Sequence, residues 1–159
     1  GLGFSPQIFT ALLMFSSVSL AITITISGKY IDKVGRRIWL IWTTVGVALF
    51  GLALPYFLKN GTTVSLFWFL ITGMGLIGMG YGPLASFLPE LFPTHARYSG
   101  ASLTYNIAGL FGASVAAIIA LPLNANYGLK GVGIYLTLNA VLSLIGLWFI
   151  TETRDRQLL

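Results

Sequence analysis

Four carboxylates, one histidine and no cysteine are all the acidic, imidazole and thiol chemistry in the 159 residues of this chain. They do not assemble into a reaction centre. His95 has no Ser and Asp partners in a recognisable triad order, and one histidine without cysteine makes no metal-ligand cluster. No paired carboxylates fall inside an apolar segment. An enzyme is therefore not expected, nor is a metal or organic cofactor. GMGLIG, Gly73 to Gly78, matches a dinucleotide-binding pattern in form only, since no strand precedes it and it lies in an apolar run. The chemistry these residues do support is electrostatic. GKYIDKVGRR, Gly28 to Arg37, carries four of the nine Lys and Arg and separates two long apolar runs. Asp32 can approach a positive helix N-terminus, and Arg36 and Arg37 present forked donors that suit carboxylates. Glu90 and Glu152 fall near the C-terminal ends of predicted helices, where the macrodipole disfavours an anion by roughly 0.3–1 kcal/mol. They need cationic partners, and Arg36, Arg37 and Arg97 are available in a common ion-pair cluster. Gly28 is expected to end the first helix and Gly35 to permit a second tight bend.

The elements that must position these charges are transmembrane helices. Hydrophobic residues make up 56% of the chain and charged residues 8%, too few to cover a water-soluble domain. Apolar stretches lie at about 6–27, 38–58, 63–88, 99–122 and 131–151, each long enough to cross a hydrocarbon core of about 30 Å. Continuous apolarity without alternation selects helices over barrel strands. The fold class is thus all-α membrane protein with five spans. The first segment is no cleavable signal peptide, because Gly1 to Gln7 lacks a basic region and four further segments follow. Lys29, Lys33, Arg36, Arg37, Arg97, Arg154 and Arg156 fall on one side of the spans and Lys59 and Lys130 on the other. That asymmetry predicts a cytoplasmic loop 28–37 and a cytoplasmic tail 152–159. Cations split among short loops form no nucleic-acid groove. The odd helix number and the abrupt GLGFSP start predict a C-terminal part of something longer.

Polar side chains inside the spans are candidate solute contacts or interhelical hydrogen bonds: Ser16, Ser17, Ser19, Tyr81, Ser86, Tyr105 and Asn106. Asn139 is expected to be structural. Gly73, Gly75, Gly78, Gly80 and Gly82 before Pro83 predict a closely packed, bendable third helix. No Asp, Glu, Lys, Arg or His occupies the middle of a span, where proton coupling normally needs a titrating group. His95 reads as an ordinary loop residue.

The pattern Gly28-x-x-x-Asp32-Lys33-x-Gly35-Arg36-Arg37 resembles the cytoplasmic signature of the major facilitator superfamily, found between helices 2 and 3 and, degenerate, between 8 and 9. GYGPLASFLPELFPTHARYSGASLTYNIAG, Gly80 to Gly109, is similar to the helix 10 to 11 region of its metabolite:proton symporters, and TETRDRQLL resembles the terminus after helix 12. The resemblance implies helices 8 to 12 of a secondary transporter, a C-terminal six-helix bundle short of one helix. It implies alternating access, with Gly28, Asp32, Lys33, Gly35, Arg36, Arg37, Glu90, Arg97 and Glu152 in cytoplasmic gating contacts. Tyr81, Tyr105 and Asn106 would border the substrate cavity. The expected solute is a small organic acid or zwitterion, moved by proton symport across a bacterial inner membrane. The expected partners are that solute, protons, the lipid bilayer and the missing N-terminal half, with a monomeric state and no nucleic acid. The alternatives are an uncoupled facilitator, a sugar-type porter of the same superfamily, or a non-transporting membrane sensor or subunit.

Overall fold

The computed structural model describes residues 5–59 and 61–150. Three long helices come first: α1 (Pro6–Val34), α2 (Arg36–Phe57) and α3 (Thr63–Glu90). A short 3₁₀ turn (Thr94–Ala96) leads into α4 (Arg97–Ala108), a π-helical segment (Gly109–Ser114) and α5 (Val115–Phe149). Local chemistry sets several of these ends. Ser5 caps α1 by accepting the Ile8 N–H at 3.3 Å ahead of Pro6, and Thr62 caps α3 by accepting the Ser65 N–H at 3.2 Å.

The first helix runs past its predicted end. Gly28 lies within α1, with nothing within 4 Å of where its side chain would be, and helical backbone continues to Val34. At about 1.5 Å per residue the 29 residues of α1 reach some 43 Å, so its last turns project beyond a 30 Å hydrocarbon core. The charged residues after Gly28 stay helical because they are outside that core and lose nothing by solvation. The predicted loop 28–37 thereby shrinks to Gly35, whose φ of 102° and ψ of 139° suit glycine alone. Its N–H still bonds the Ile31 carbonyl at 2.9 Å, and its own carbonyl accepts from Trp39 at 3.1 Å.

Among the described residues, four helical stretches are long and apolar enough to cross a membrane, the last being Thr94–Phe149 with 56 residues. That stretch is not one straight rod. Gly128 has φ 62° and ψ −161°, and a Cβ placed on Gly131 would sit 3.1 Å from the Leu123 side chain. On an unbroken helix those residues would be about 12 Å apart, so the chain bends sharply at Gly128.

Two packed pairs make the bundle. On α1 and α3, Ser19, Thr23 and Ser27 meet Gly75, Gly78 and Gly82 in that order, so the helices run parallel. Glycine lets the backbones close in: Ser19 Oγ donates to the Ile71 carbonyl at 3.2 Å and Ser27 Oγ to that of Gly78 at 3.4 Å. On α2 and the last part of α5, Gly51 faces Gly133, and Thr137 Oγ1 donates to the Ala48 carbonyl at 3.1 Å, in antiparallel order. Buried Leu54, Leu58, Leu66 and Leu70 join the pairs, and the Phe50 and Phe69 rings stack at 5.0 Å between centroids. By contrast, no residue from Arg97 to Tyr127 is buried.

Candidate functional site

The charged cluster forms where α1, α2, α3 and α5 end together. Because α2 starts immediately after Gly35, Arg36 and Arg37 are its first two residues and leave the helix about 100° apart. Arg36 Nη2 lies 3.0 Å from Glu90 Oε1 and 3.5 Å from Asp32 Oδ1. The Glu90 contact is the stronger one, since side-chain exposure is 16% for Arg36 and 14% for Glu90 but 73% for Asp32. Glu90 is the last residue of α3, so the guanidinium compensates an anion that the helix dipole alone would disfavour.

Arg37 turns the other way. Its Nε donates to the Leu147 carbonyl and its Nη2 to the Trp148 carbonyl, both at 2.9 Å. These are carbonyls of the final turn of α5, which a helix leaves without internal partners. The forked guanidinium closes that helix end with two donors, a role sequence reasoning had not distinguished from ion pairing. Lysine, a single flexible point charge, cannot supply both bonds in this fork. Arg37→Lys is expected to cost about 1.5 kcal/mol of unfolding free energy, the lower end of the scale for one hydrogen bond to a charged group. Denaturant unfolding of the purified chain measures this, and an unchanged midpoint would contradict the capping role.

The remaining expected members divide. Lys33 sits with its Nζ 6.0 Å from the Tyr30 ring centroid, on the exposed side of α1. Arg97 opens α4 and has no ion pair with a carboxylate among the described residues; its Nε is buried without a hydrogen-bond partner there. Glu152 lies outside the described residues.

The cavity candidates also divide. Tyr81 of α3 and Tyr105 of α4 line a cavity of about 330 Å³ with Leu84, Leu88 and Ala101. Asn106 does not join that lining: its Nδ2 donates to the Ser102 carbonyl at 2.8 Å, one turn back on its own helix. Ser16 and Ser17 bond the Leu12 and Met14 carbonyls of α1, and Ser86 bonds that of Pro83, so these hydroxyls are satisfied locally. Asn139 similarly bonds the Tyr135 carbonyl. Thr23 and Ser27, not singled out from sequence, prove to be seam residues; their spacing with Ser19 at i, i+4 and i+8 was the available signal.

Residues 1–159 match the sugar (and other) transporter family. A Haemophilus influenzae protein whose given name assigns it provisionally to metabolite transport is 88% identical over 158 residues. The Escherichia coli K12 inner membrane metabolite transport protein YhjE is 41% identical over 159 residues. Each covers 99% of this chain, which spans 35% and 36% of their respective lengths. The proline/betaine transporter of Salmonella typhimurium is 33% identical over 135 residues, which is 84% of this chain and 27% of that protein. No solved structure matches. With every residue inside the family match, and with helices of membrane-spanning length and apolarity, the chain belongs to the sugar (and other) transporter family of the major facilitator superfamily and is a multi-pass membrane protein.

Proposed function

We propose that this chain is the five-span C-terminal part, helices 8 to 12, of a secondary transporter of the metabolite:proton symporter type. The sharp bend at Gly128 supports the fifth span: it divides 56 helical residues, about 84 Å at 1.5 Å each, into two lengths that each suit a bilayer. The parallel α1 and α3 and the antiparallel α2 and α5 are the directions that five successive crossings require.

The observation that carries the mechanistic reading is the cluster at Arg36. Asp32, Arg36, Glu90 and Arg37 tie the ends of α1, α2, α3 and α5 together on the side assigned to the cytoplasm. Contacts of this kind act as a latch in an alternating-access cycle: a difference of a few kcal/mol between states sets their populations. Gly28, Lys33, Gly35, Arg97 and Glu152 belong to the same gating surface in this reading. The exposed α4 and the Tyr81–Tyr105 pair border the solute path, and α4 is left for the N-terminal half to cover.

The solute class is a small organic acid or zwitterion, consistent with relatives named for metabolite and proline/betaine transport. Proton coupling would use groups beyond these spans, because no Asp, Glu, Lys, Arg or His stands in the middle of one. The same observation favours a second reading, an uncoupled facilitator. Uptake of labelled organic acids and betaines by cells expressing an intact chain that contains these residues separates the two. Accumulation abolished by a protonophore supports symport; equilibration indifferent to it supports the facilitator; no uptake of any solute rejects transport.

Orientation has its own test, made clean by the absence of cysteine. Lys33→Cys is expected to react with a membrane-impermeant maleimide only from the cytoplasmic face, and Thr63→Cys only from the opposite face. The reverse pattern would invert the assignment of loop 28–37 and the tail.

A further inference from the structure

At the end of the bundle opposite Arg36, α2 and α5 enclose a cleft that the charged cluster does not explain. The two helices touch backbone to backbone at Gly51 and Gly133, where a Cβ on Gly133 would fall on the Gly51 carbonyl oxygen. Above this contact they leave an opening of about 450 Å³, lined by Leu52, Pro55, Tyr56 and Lys59 on one side and by Lys130 and Ile134 on the other.

Its charge is one-sided. Lys59 and Lys130 share the cleft, whereas the described carboxylates, Asp32 and Glu90, are at the far end of the bundle with Arg36. With two lysines and no carboxylate among the residues that line it, the opening carries positive charge that an anion would neutralise. Both lysines stand at ends of membrane-length helical segments, the depth at which headgroups lie, with stems able to reach along apolar surface. Below them, Leu52 and Ile134 are 54% and 55% exposed, and Tyr56 is 79% exposed. A free inorganic anion has no use for that apolar wall; an amphiphile does.

We propose that the cleft binds an anionic phospholipid of the leaflet at that end. Lys59 and Lys130 hold the phosphate, the Tyr56 phenol lies at headgroup level, and acyl chain runs over Leu52 and Ile134. The site ties α2 to α5 at the end where the Arg37 fork does not. It rests only on the chain's spanning a membrane, not on the transport reading.

Native mass spectrometry of the chain released from detergent, supplied with phosphatidylglycerol or phosphatidylcholine, tests this directly. The chain is expected to retain phosphatidylglycerol preferentially. Lys59→Gln/Lys130→Gln is expected to lose about 30-fold in that affinity, about fivefold for each lysine near a membrane surface. Lys59→Arg/Lys130→Arg is expected to keep it. Equal retention of the two lipids, or undiminished phosphatidylglycerol binding by the double Gln variant, overturns the proposal. Displacement of the lipid by millimolar inorganic phosphate would identify a free-anion site and overturn it as well. Should the double variant lose helical circular dichroism, the single Gln variants carry the same test.

Discussion

Valine in place of Gly78 is expected to force α1 away from α3. A Cβ there would coincide with Thr23 Oγ1 and lie 2.6 Å from the Leu20 carbonyl oxygen. The hydroxyl can rotate, but the carbonyl is backbone of α1, so relief requires the helix itself to retreat. Overpacking typically costs about 1–3 kcal/mol, and two branched methyls against backbone place this substitution at the upper end. Retreat also breaks the bonds from Ser19 to Ile71 and from Ser27 to Gly78. Denaturant unfolding of the chain in detergent should show a lower midpoint, and distances between single-cysteine labels on α1 and α3 should lengthen. Gly28→Ala and Gly146→Ala are the controls, since both glycines are helical with nothing within 4 Å. Each is expected to be neutral or stabilising by up to about 1 kcal/mol through helix propensity. If Gly78→Val unfolds no earlier than these controls, the seam does not hold the pair together.

Neutralising either partner of the Arg36–Glu90 pair is the second large effect. Arg36→Gln or Glu90→Gln leaves a mostly buried charge opposite an amide. Breaking a fully buried pair costs about 3–5 kcal/mol; with 16% and 14% of the side chains still exposed, about 2 kcal/mol is expected here. The double variant should cost less than the sum of the singles, with a coupling energy of about 1 kcal/mol or more. Exchanging the charges, Arg36→Glu with Glu90→Arg, should recover only part of the loss, because Asp32 then adjoins a like charge. Strict additivity in the cycle would show that the 3.0 Å contact contributes nothing as a pair. In the intact transporter proposed above, the same substitutions are expected to shift the conformational equilibrium as well as stability, which accessibility labelling of the cytoplasmic face would read.

The apolar helices of crossing length and the Arg36–Glu90 contact were legible in the sequence because both rest on one-dimensional signals, while the number of crossings was not. Apolar length marks a crossing, and cations collect beside it. Arg36 meeting Glu90 required only that both lie at the same end. What escaped was whatever depends on rotation about a helix axis. Gly28 was taken as a stop because glycine closes a turn cheaply at positive φ, but a helix emerging from a membrane has no reason to end at the boundary. Ser19 was weighed as a solute contact or an interhelical hydrogen bond, and only the packing decides between them: it faces Gly75 and reaches the Ile71 carbonyl on α3, the second of the two. Which face of α1 carries the seam is set by its partner, and hydropathy along one segment holds no record of that. The π-helical Gly109–Ser114 had no sequence signal at all beyond two glycines.

The joint at Gly35 has a consequence for which changes the chain tolerates. Arg36 and Arg37 reach different neighbours only because they are consecutive in α2 and start one residue after α1 ends. Their register works as a vernier: inserting or deleting a single residue between Arg37 and Ile38 would turn both guanidinium groups by about 100° relative to the packed body of α2. Arg36 would then miss the end of α3 and Arg37 the end of α5 in the same event. Substitution at this joint changes one contact at a time, whereas a change of length undoes them all. The joint between α1 and α2, through Ile38, should therefore be far less variable in length than in composition.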